Sequence, residues 1–164
     1  MPDKLPQPWK MPPLIKVYEA LGAVADGRVR LADEHRALVT SSDGSKTYEV
    51  EFAGRAIAAN DNASYWQGYL GYPAIAVMIA RGLLRPDATA MAALRGIPWK
   101  ELNSRFHNDY ARTLAEVANL LEARAADPAM IDAACKALLE AVREYAPIRG
   151  ARRRPPAAQP PDSQ

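Results

Sequence analysis

The densest set of side chains able to recognise another molecule lies between Asn60 and Tyr72. Tyrosine and tryptophan rings offer flat apolar area with a polar tip, while Asn, Asp and Gln offer directional hydrogen bonds. Two glycines in the same stretch let the backbone approach a partner closely. We therefore predict a binding surface formed by Asn60, Asp61, Asn62, Tyr65, Trp66, Gln67, Tyr69 and Tyr72. The alternative is that these residues serve only as a helix cap, a tight connector and aromatic packing against a sheet.

Other reactive side chains do not complete a catalytic or metal-binding set. His107 and Asp109 are two positions apart on a predicted helix, a spacing that points their side chains in different directions. Cys135 is the only cysteine, which excludes an internal disulfide and a Cys-rich zinc site, and it is predicted to be a buried, inert thiol. We predict no catalytic residue, no metal site and no cofactor. Enzymatic activity stays open, with this lack of a catalytic set weighing against it.

Composition and charge indicate an ordinary globular protein. The 164 residues are 49% hydrophobic and 24% charged, with a net charge of +2. This size and composition fit one domain, and the near balance of charge favours neither nucleic acid nor an anionic membrane as partner. No apolar run approaches the length of a membrane span, and no secretory signal is recognisable, so we predict a cytoplasmic protein. The basic excess is concentrated near the end of the chain, in Arg149, Arg152, Arg153 and Arg154.

Proline and polar residues mark the two ends of the predicted domain. Residues 1–12 are rich in proline and are predicted to be disordered. Residues 13–147 carry the periodic apolar pattern of a single α+β domain. Residues 148–164 are first basic and then rich in Pro, Ala and Gln, so they are predicted to be a disordered tail.

The period of the apolar residues predicts the elements of the first half of this domain. Helical spacing from Leu14 to Val24 predicts an N-terminal helix that follows two prolines. Polar and apolar residues alternate across about 28–59, with an Asp-Gly turn signal at Asp43, which predicts a small antiparallel β-sheet. The run at about 72–82 is apolar on nearly every side and predicts a buried central helix.

The second half of the domain is predicted to end in a helical hairpin. Apolar residues at helical spacing from Trp99 to Leu121 predict one long helix over about 98–125. Asp127 begins a further helix after a short break. Two helices joined in this way predict an antiparallel hairpin across about 98–146.

A hairpin, a short strand, an Asn/Asp turn, a Gly-rich connector and an Ala/Val-rich helix follow one another in residues 37–82. Tyr48-Glu-Val-Glu-Phe supplies the strand and Ala74-Ile-Ala-Val-Met the helix. This order resembles the SWIM-type zinc finger, a ββα module with a Cys-x-Cys and a Cys-x-His pair that is associated with DNA or protein binding. The ligand positions fall on residues that cannot bind zinc, namely Ile57 and Ala59 (or Ala56 and Ala58), Gly71 and Pro73. The resemblance implies a metal-free relative, and the alternative is convergent ββα packing.

Three functions follow from these observations. The first is a non-catalytic interaction or regulatory module that binds a protein partner through residues 60–72. The second is nucleic-acid binding through the same segment and the four C-terminal arginines, whose contacts with phosphates would weaken steeply with salt. The third is a small enzyme whose site is assembled only in three dimensions, from residues such as Asp61, Asn62, Tyr65, Gln67 and His107.

Overall fold

The chain folds into a five-stranded sheet and a set of helices, of which one central helix packs directly against the sheet. The computed structural model describes residue 5 and residues 7–151. Within that range the helices are α1 (Ile15–Ala25), α2 (Tyr72–Ala80), α3 (Ala88–Ala93), α4 (Trp99–Arg105), α5 (Tyr110–Ala123) and α6 (Pro128–Tyr145). The strands are β1 (Val29–Leu31), β2 (Arg36–Thr40), β3 (Thr47–Ala53), β4 (Ala56–Ala59) and β5 (Ile148–Arg149). One π-helical turn, Ala63–Gln67, lies between β4 and α2.

The sheet follows the order of its strands along the chain. β1 to β4 form an antiparallel meander, as the alternating pattern predicts, and β5 pairs in parallel with β4 at the edge. Ala37 of β2 lies opposite Val50 of β3, and Phe52 of β3 lies opposite Ile57 of β4. All four side chains are buried, so one face of the sheet contributes to the core. The predicted α+β class is confirmed.

Helix α2 occupies the centre of the molecule. It contacts β1, β2, β3 and β4 as well as α1, and every residue of Pro73–Ile79 is buried. An apolar sequence on all sides of a helix requires this position, because both faces must be covered. The helix ends where Gly82 adopts a left-handed φ of 78°, and the prediction of a buried central helix is confirmed.

Helix α1 packs against α2, α3 and α6, and Gly22 permits its close approach to Trp99. A Cβ placed at Gly22 would lie 2.6 Å from Nε1 of the Trp99 indole. This distance is shorter than a real Cβ contact allows, so any side chain at position 22 would displace the ring. Trp99, which begins α4, is thereby held in the core beside α1.

The C-terminal helices differ from the predicted hairpin of two helices. The stretch predicted as one helix over about 98–125 is two helices, α4 and α5, separated by Phe106–Asp109. His107 and Asn108 have φ values of 51° and 60°, and the Asp109 side chain accepts a hydrogen bond from the Arg112 N–H at the start of α5. Asn tolerates left-handed backbone and Asp favours the N-cap, so local chemistry outweighs the continuous apolar spacing.

The ends of the domain extend beyond the predicted limits of 13 and 147. Trp9 lies in the core, only 8% exposed, and its indole N–H donates to the Ile57 carbonyl at 2.9 Å. Pro8 bridges Ile148, and Lys10 bridges Tyr69. Proline removes only its own backbone donor, so a Pro-rich segment can still pair along an edge. Residues 1–4, 6 and 152–164, also predicted to be disordered, lie outside the described residues.

Two tryptophan substitutions test whether the N-terminal segment belongs to the fold. Trp9→Ala should lower the free energy of unfolding by about 3 kcal/mol, because it removes a buried ring and its hydrogen bond. Trp66→Ala is the matched control, since its ring is 66% exposed and its loss should cost less than about 1 kcal/mol. Urea denaturation followed by circular dichroism measures both. Equal effects of the two substitutions would contradict the placement of Trp9 in the core.

Candidate functional site

A cleft of about 650 Å³ opens between α1, the sheet, the segment before α2 and the helices α4 and α5. We call it the central cleft. Its charged lining residues are Lys16, Glu19, Arg28, Lys46, Asp61 and Lys100. Its aromatic and amide lining residues are Tyr48, Trp66, Tyr69, Tyr72, Trp99, Tyr110, Asn62, Gln67, Asn103 and Asn108.

A buried ion pair forms one wall of the central cleft. Lys16 Nζ lies 3.2 Å from Glu19 Oε2, and Asn103 Nδ2 donates to Glu19 Oε1 at 2.7 Å. The Lys16 ammonium also lies 5.0 Å from the centre of the Tyr110 ring. Burial disfavours its charge, but Glu19, Tyr110 and Tyr69 outweigh that cost and raise the pKa of Lys16. Lys16 is therefore a fixed positive charge whose counter-charge is Glu19, only 3% exposed.

A second buried carboxyl group, Asp61, belongs to the same cleft. Its side chain accepts hydrogen bonds from the Ser64 hydroxyl at 2.6 Å and from the Ser64 N–H at 3.2 Å. The Ser64 hydroxyl in turn accepts from the Gly71 N–H at 3.3 Å. A Cβ at Gly71 would clash with the Asp61 carboxylate, so this packing requires glycine. Burial raises the pKa of Asp61, although the hydrogen bonds from Ser64 oppose the change.

Four tyrosines line the central cleft with their rings in contact with one another or with charged groups. Tyr48 and Tyr72 meet edge to face, with ring centres 6.3 Å apart. Burial raises the pKa of both phenols. Burial also raises the pKa of Tyr69 to about 12, with a contribution from its hydrogen bond to Tyr110. These hydroxyls therefore remain protonated at neutral pH and can both donate and accept hydrogen bonds.

The fold brings together six of the eight residues predicted to form a binding surface. Asp61, Asn62, Trp66, Gln67, Tyr69 and Tyr72 all line the central cleft. Asn60 does not, because its side-chain oxygen accepts from the Glu49 N–H at 2.9 Å and continues the pairing of β3 with β4. Tyr65 lies on the other side of the segment, with its ring edge to face against Trp66 at 4.5 Å.

Tyr65 faces a smaller cavity of about 250 Å³, where Trp9 and Arg149 also lie. The Arg149 guanidinium stacks 4.6 Å above the Trp9 ring and donates to the Gly68 carbonyl at 3.1 Å. Arg149 was predicted to belong to a disordered tail that contacts phosphates, whereas the structure places it in β5, where its exposed side chain contacts Trp9 and Gly68. Its partners in that prediction, Arg152, Arg153 and Arg154, lie outside the described residues.

Four residues that line the central cleft were not predicted as site residues, namely Lys16, Glu19, Arg28 and Asn103. One signal was available, because Lys16 and Glu19 are the charged residues of a helix in which most other positions are apolar. Ionisable side chains on such a helix must be buried in pairs or face a cavity. Asn103 carried no signal, since it comes from α4 and reaches Glu19 only through the tertiary fold.

The remaining candidates lie away from the central cleft. His107 is exposed at the break between α4 and α5. The positions that correspond to zinc ligands in the zinc-finger resemblance lie in β4 (Ile57 and Ala59) and at the start of α2 (Gly71 and Pro73). The resemblance itself stays a prediction.

Within residues 5 and 7–151, no group of three or more His, Cys, Asp or Glu side chains is arranged to hold a metal ion. None of the helices described is long and apolar enough to cross a membrane.

A family model described as "Uncharacterised conserved protein UCP014422" matches residues 9–147. The chain belongs to this family. The UCP014422 region begins at Trp9 and ends at Pro147, and these two residues meet in the structure, where the Trp9 N–H donates to the Pro147 carbonyl at 3.2 Å. Neither a curated protein nor a solved structure was found to match the chain.

The raised pKa of Asp61 predicts a distinctive dependence of stability on pH. The protonated carboxyl favours the folded state fully below the unfolded pKa of about 4, and this contribution is lost as pH rises toward the folded pKa. Asp61→Asn cannot ionise, so its free energy of unfolding relative to the wild type should be higher at pH 7 than at pH 3. Urea denaturation at the two pH values measures the difference.

Asp132→Asn provides a control of opposite sign. Hydrogen bonding to Lys136 lowers the pKa of Asp132, and a further hydrogen bond from Tyr18 acts in the same direction. Asp132 therefore stabilises the fold above its unfolded pKa, and its substitution should cost more at pH 7 than at pH 3. A relative stability of Asp61→Asn that is the same or lower at pH 7 would contradict the burial of an ionisable Asp61.

Proposed function

We propose that this protein binds a small polar molecule in the central cleft. The observation that carries the proposal is the convergence of Lys16, Glu19 and Asp61, all largely buried, on one cavity. Buried charges cost stability unless they are paired, and perturbed ionisable groups in a cleft are typical of functional sites. The volume of about 650 Å³ lies within the range of small-molecule sites.

The chemistry of the wall supports a ligand that contains a ring. Tyr48, Tyr69, Tyr72 and Trp66 present aromatic surface to the cleft, and Asn62 and Gln67 present exposed amides at its rim. Aromatic faces stack on flat rings, and amides form paired donor and acceptor hydrogen bonds. Such a wall both holds a ring and orients its polar substituents.

Binding of a protein partner through residues 60–72 is the second candidate. Trp66 supports it, because a tryptophan that is 66% exposed beside exposed amides is typical of an interface anchor. The same ring lines the central cleft, so a bound small molecule would also cover it. The two candidates differ in whether the buried groups Lys16 and Glu19 take part.

Nucleic-acid binding receives less support from the described residues. Arg149 donates to the Gly68 carbonyl and stacks on the Trp9 ring. The other three arginines of this candidate, Arg152, Arg153 and Arg154, lie outside the described residues. Its test is the salt dependence of binding to single- and double-stranded DNA, which should be steep if phosphate contacts dominate. No gel shift at low salt would remove this candidate.

We infer a cytoplasmic location, as the sequence predicts. The support is the single cysteine, Cys135, which is fully buried on α6. Burial raises the pKa of its thiol to about 12, so it remains an unreactive thiol rather than a disulfide partner.

A screen of small molecules by protein NMR tests the ligand-binding proposal. Nucleosides, sugars, amino acids and their phosphorylated forms would be added to ¹⁵N-labelled full-length chain. We expect at least one class to shift the amide signals of residues 61–72 and 99–110 together, because these segments form two walls of the central cleft. Asn62→Ala combined with Gln67→Ala should weaken that binding by about tenfold, with the fold intact because both side chains are exposed.

Arg143→Ala is the matched control, since Arg143 is an exposed residue of α6 paired with Glu140. It should leave binding unchanged. If no compound shifts the signals of the cleft, and an immobilised chain captures a protein that Trp66→Ala fails to capture, the partner candidate replaces the ligand-binding proposal.

A further inference from the structure

Two polar atoms in the wall of the central cleft lack a hydrogen-bond partner among the described residues, the donor Nε1 of Trp99 and the acceptor Oδ1 of Asn103. The side-chain oxygen Oδ1 of Asn103 is buried and accepts no hydrogen bond from the described part of the chain. The orientation of this amide follows from chemistry, because Glu19 is a carboxylate that only accepts, so the Asn103 NH₂ group must face it at 2.7 Å. A buried acceptor without a donor costs stability, which a bound ligand with a donor would recover.

One hydrogen-bond donor, the Lys16 ammonium, shares the Glu19 carboxylate with the Asn103 amide. Lys16 and Asn103 contact the two oxygens of the same Glu19 carboxylate. The Lys16 ammonium has three N–H donors, and its contact with Glu19 uses one of them. Glu19 therefore holds a donor and an acceptor in the same wall of the central cleft, and the complementary ligand has both an acceptor and a donor.

The charges around the cleft favour a ligand without net charge. Three of the four lining cations are already paired with carboxylates, Lys16 with Glu19 at 3.2 Å, Arg28 with Asp26 at 3.2 Å, and Lys100 with Asp43 at 3.5 Å. A phosphate or carboxylate would have to compete with these internal partners for each of the three paired cations. An uncharged polar group binds without displacing any of them.

Resting on the proposed function, we propose that the ligand of the central cleft is an uncharged ring compound with both a hydrogen-bond donor and an acceptor. Its donor bonds to Oδ1 of Asn103 and its acceptor receives a hydrogen bond from Lys16, while aromatic residues of the cleft contact its ring. A hydroxyl group of a sugar and the amide edge of a nucleobase both have this chemistry.

The test compares uncharged with anionic probes on the full-length chain. Glucose, ribose, uracil, uridine and uridine monophosphate would be titrated by ¹⁵N NMR, with the side-chain NH₂ signal of Asn103 as the local reporter. We expect an uncharged probe to bind and the added phosphate to change its Kd by less than about threefold. Binding by the free sugars or by uracil identifies which of the two sources supplies the polar edge.

Removing one hydrogen bond tests the contact with Asn103 from both sides. Asn103→Ala should weaken binding by about fivefold to tenfold, the loss expected for one hydrogen bond. Because this substitution also removes a partner of Glu19, the same loss is measured on the unmodified chain with probes that lack the donor. These are 1,3-dimethyluracil, 3-methyluridine (whose N1 is already substituted by the sugar) and sugars in which each hydroxyl is replaced in turn by hydrogen.

The outcomes separate the inference from the proposed function. Binding that requires a phosphate or carboxylate, or that is insensitive to both Asn103→Ala and loss of the probe's donor, overturns the inference and leaves ligand binding standing. If no probe of any class shifts the amide signals of the cleft, both the inference and the proposed function are overturned.

Discussion

Helix α2 is apolar on all sides, and the rest of the chain is arranged to cover it. Both the sheet and α1 pack against it, so two parts of the protein bury their apolar surfaces on one short helix. Burial contributes about 25 cal/mol per Å² of apolar surface, so covering such a helix on all sides stabilises the fold. The segment that leads into α2 must then cross the end of the sheet, and this crossing forms a wall of the central cleft.

Buried charge is the second constraint, and it follows from the first. Because α1 covers α2, most of its residues are buried, including Glu19. Lys16 and Asn103 satisfy that carboxylate, and Ser64 satisfies Asp61 in the same way. Both arrangements cost desolvation that an apolar core would avoid. Two buried carboxyl groups and an unpartnered amide oxygen surround one cavity. Such groups are typical of ligand-binding sites, and the proposed function rests on them.

The differences between the expected and observed elements have local causes that compete with periodicity. The apolar spacing from Trp99 to Leu121 continues across the break between α4 and α5, but Asn108 in left-handed backbone and Asp109 as a helix cap outweigh it. This break matters for the cleft, because Asn103 and Tyr110 line it from separate helices. The burial of Trp9 was not predicted, because the surrounding prolines indicated a disordered segment. Its neighbours Pro8 and Lys10 pair with Ile148 and Tyr69, and this pairing explains its burial.

The sequence by itself determined the α+β class, the antiparallel strands, the burial of α2 and the segment in which aromatic and amide residues are densest. These depend on local spacing and turn chemistry, which a single chain displays directly. Only the tertiary structure decided that Lys16, Glu19 and Asn103 form one network and that Asp61 shares their cavity. Glu19 and Asn103 are 84 residues apart, and no local pattern encodes which helices pack together, because many pairings bury equal apolar area. The site therefore depends on contacts between distant segments, and it exists only once the core has brought those segments together.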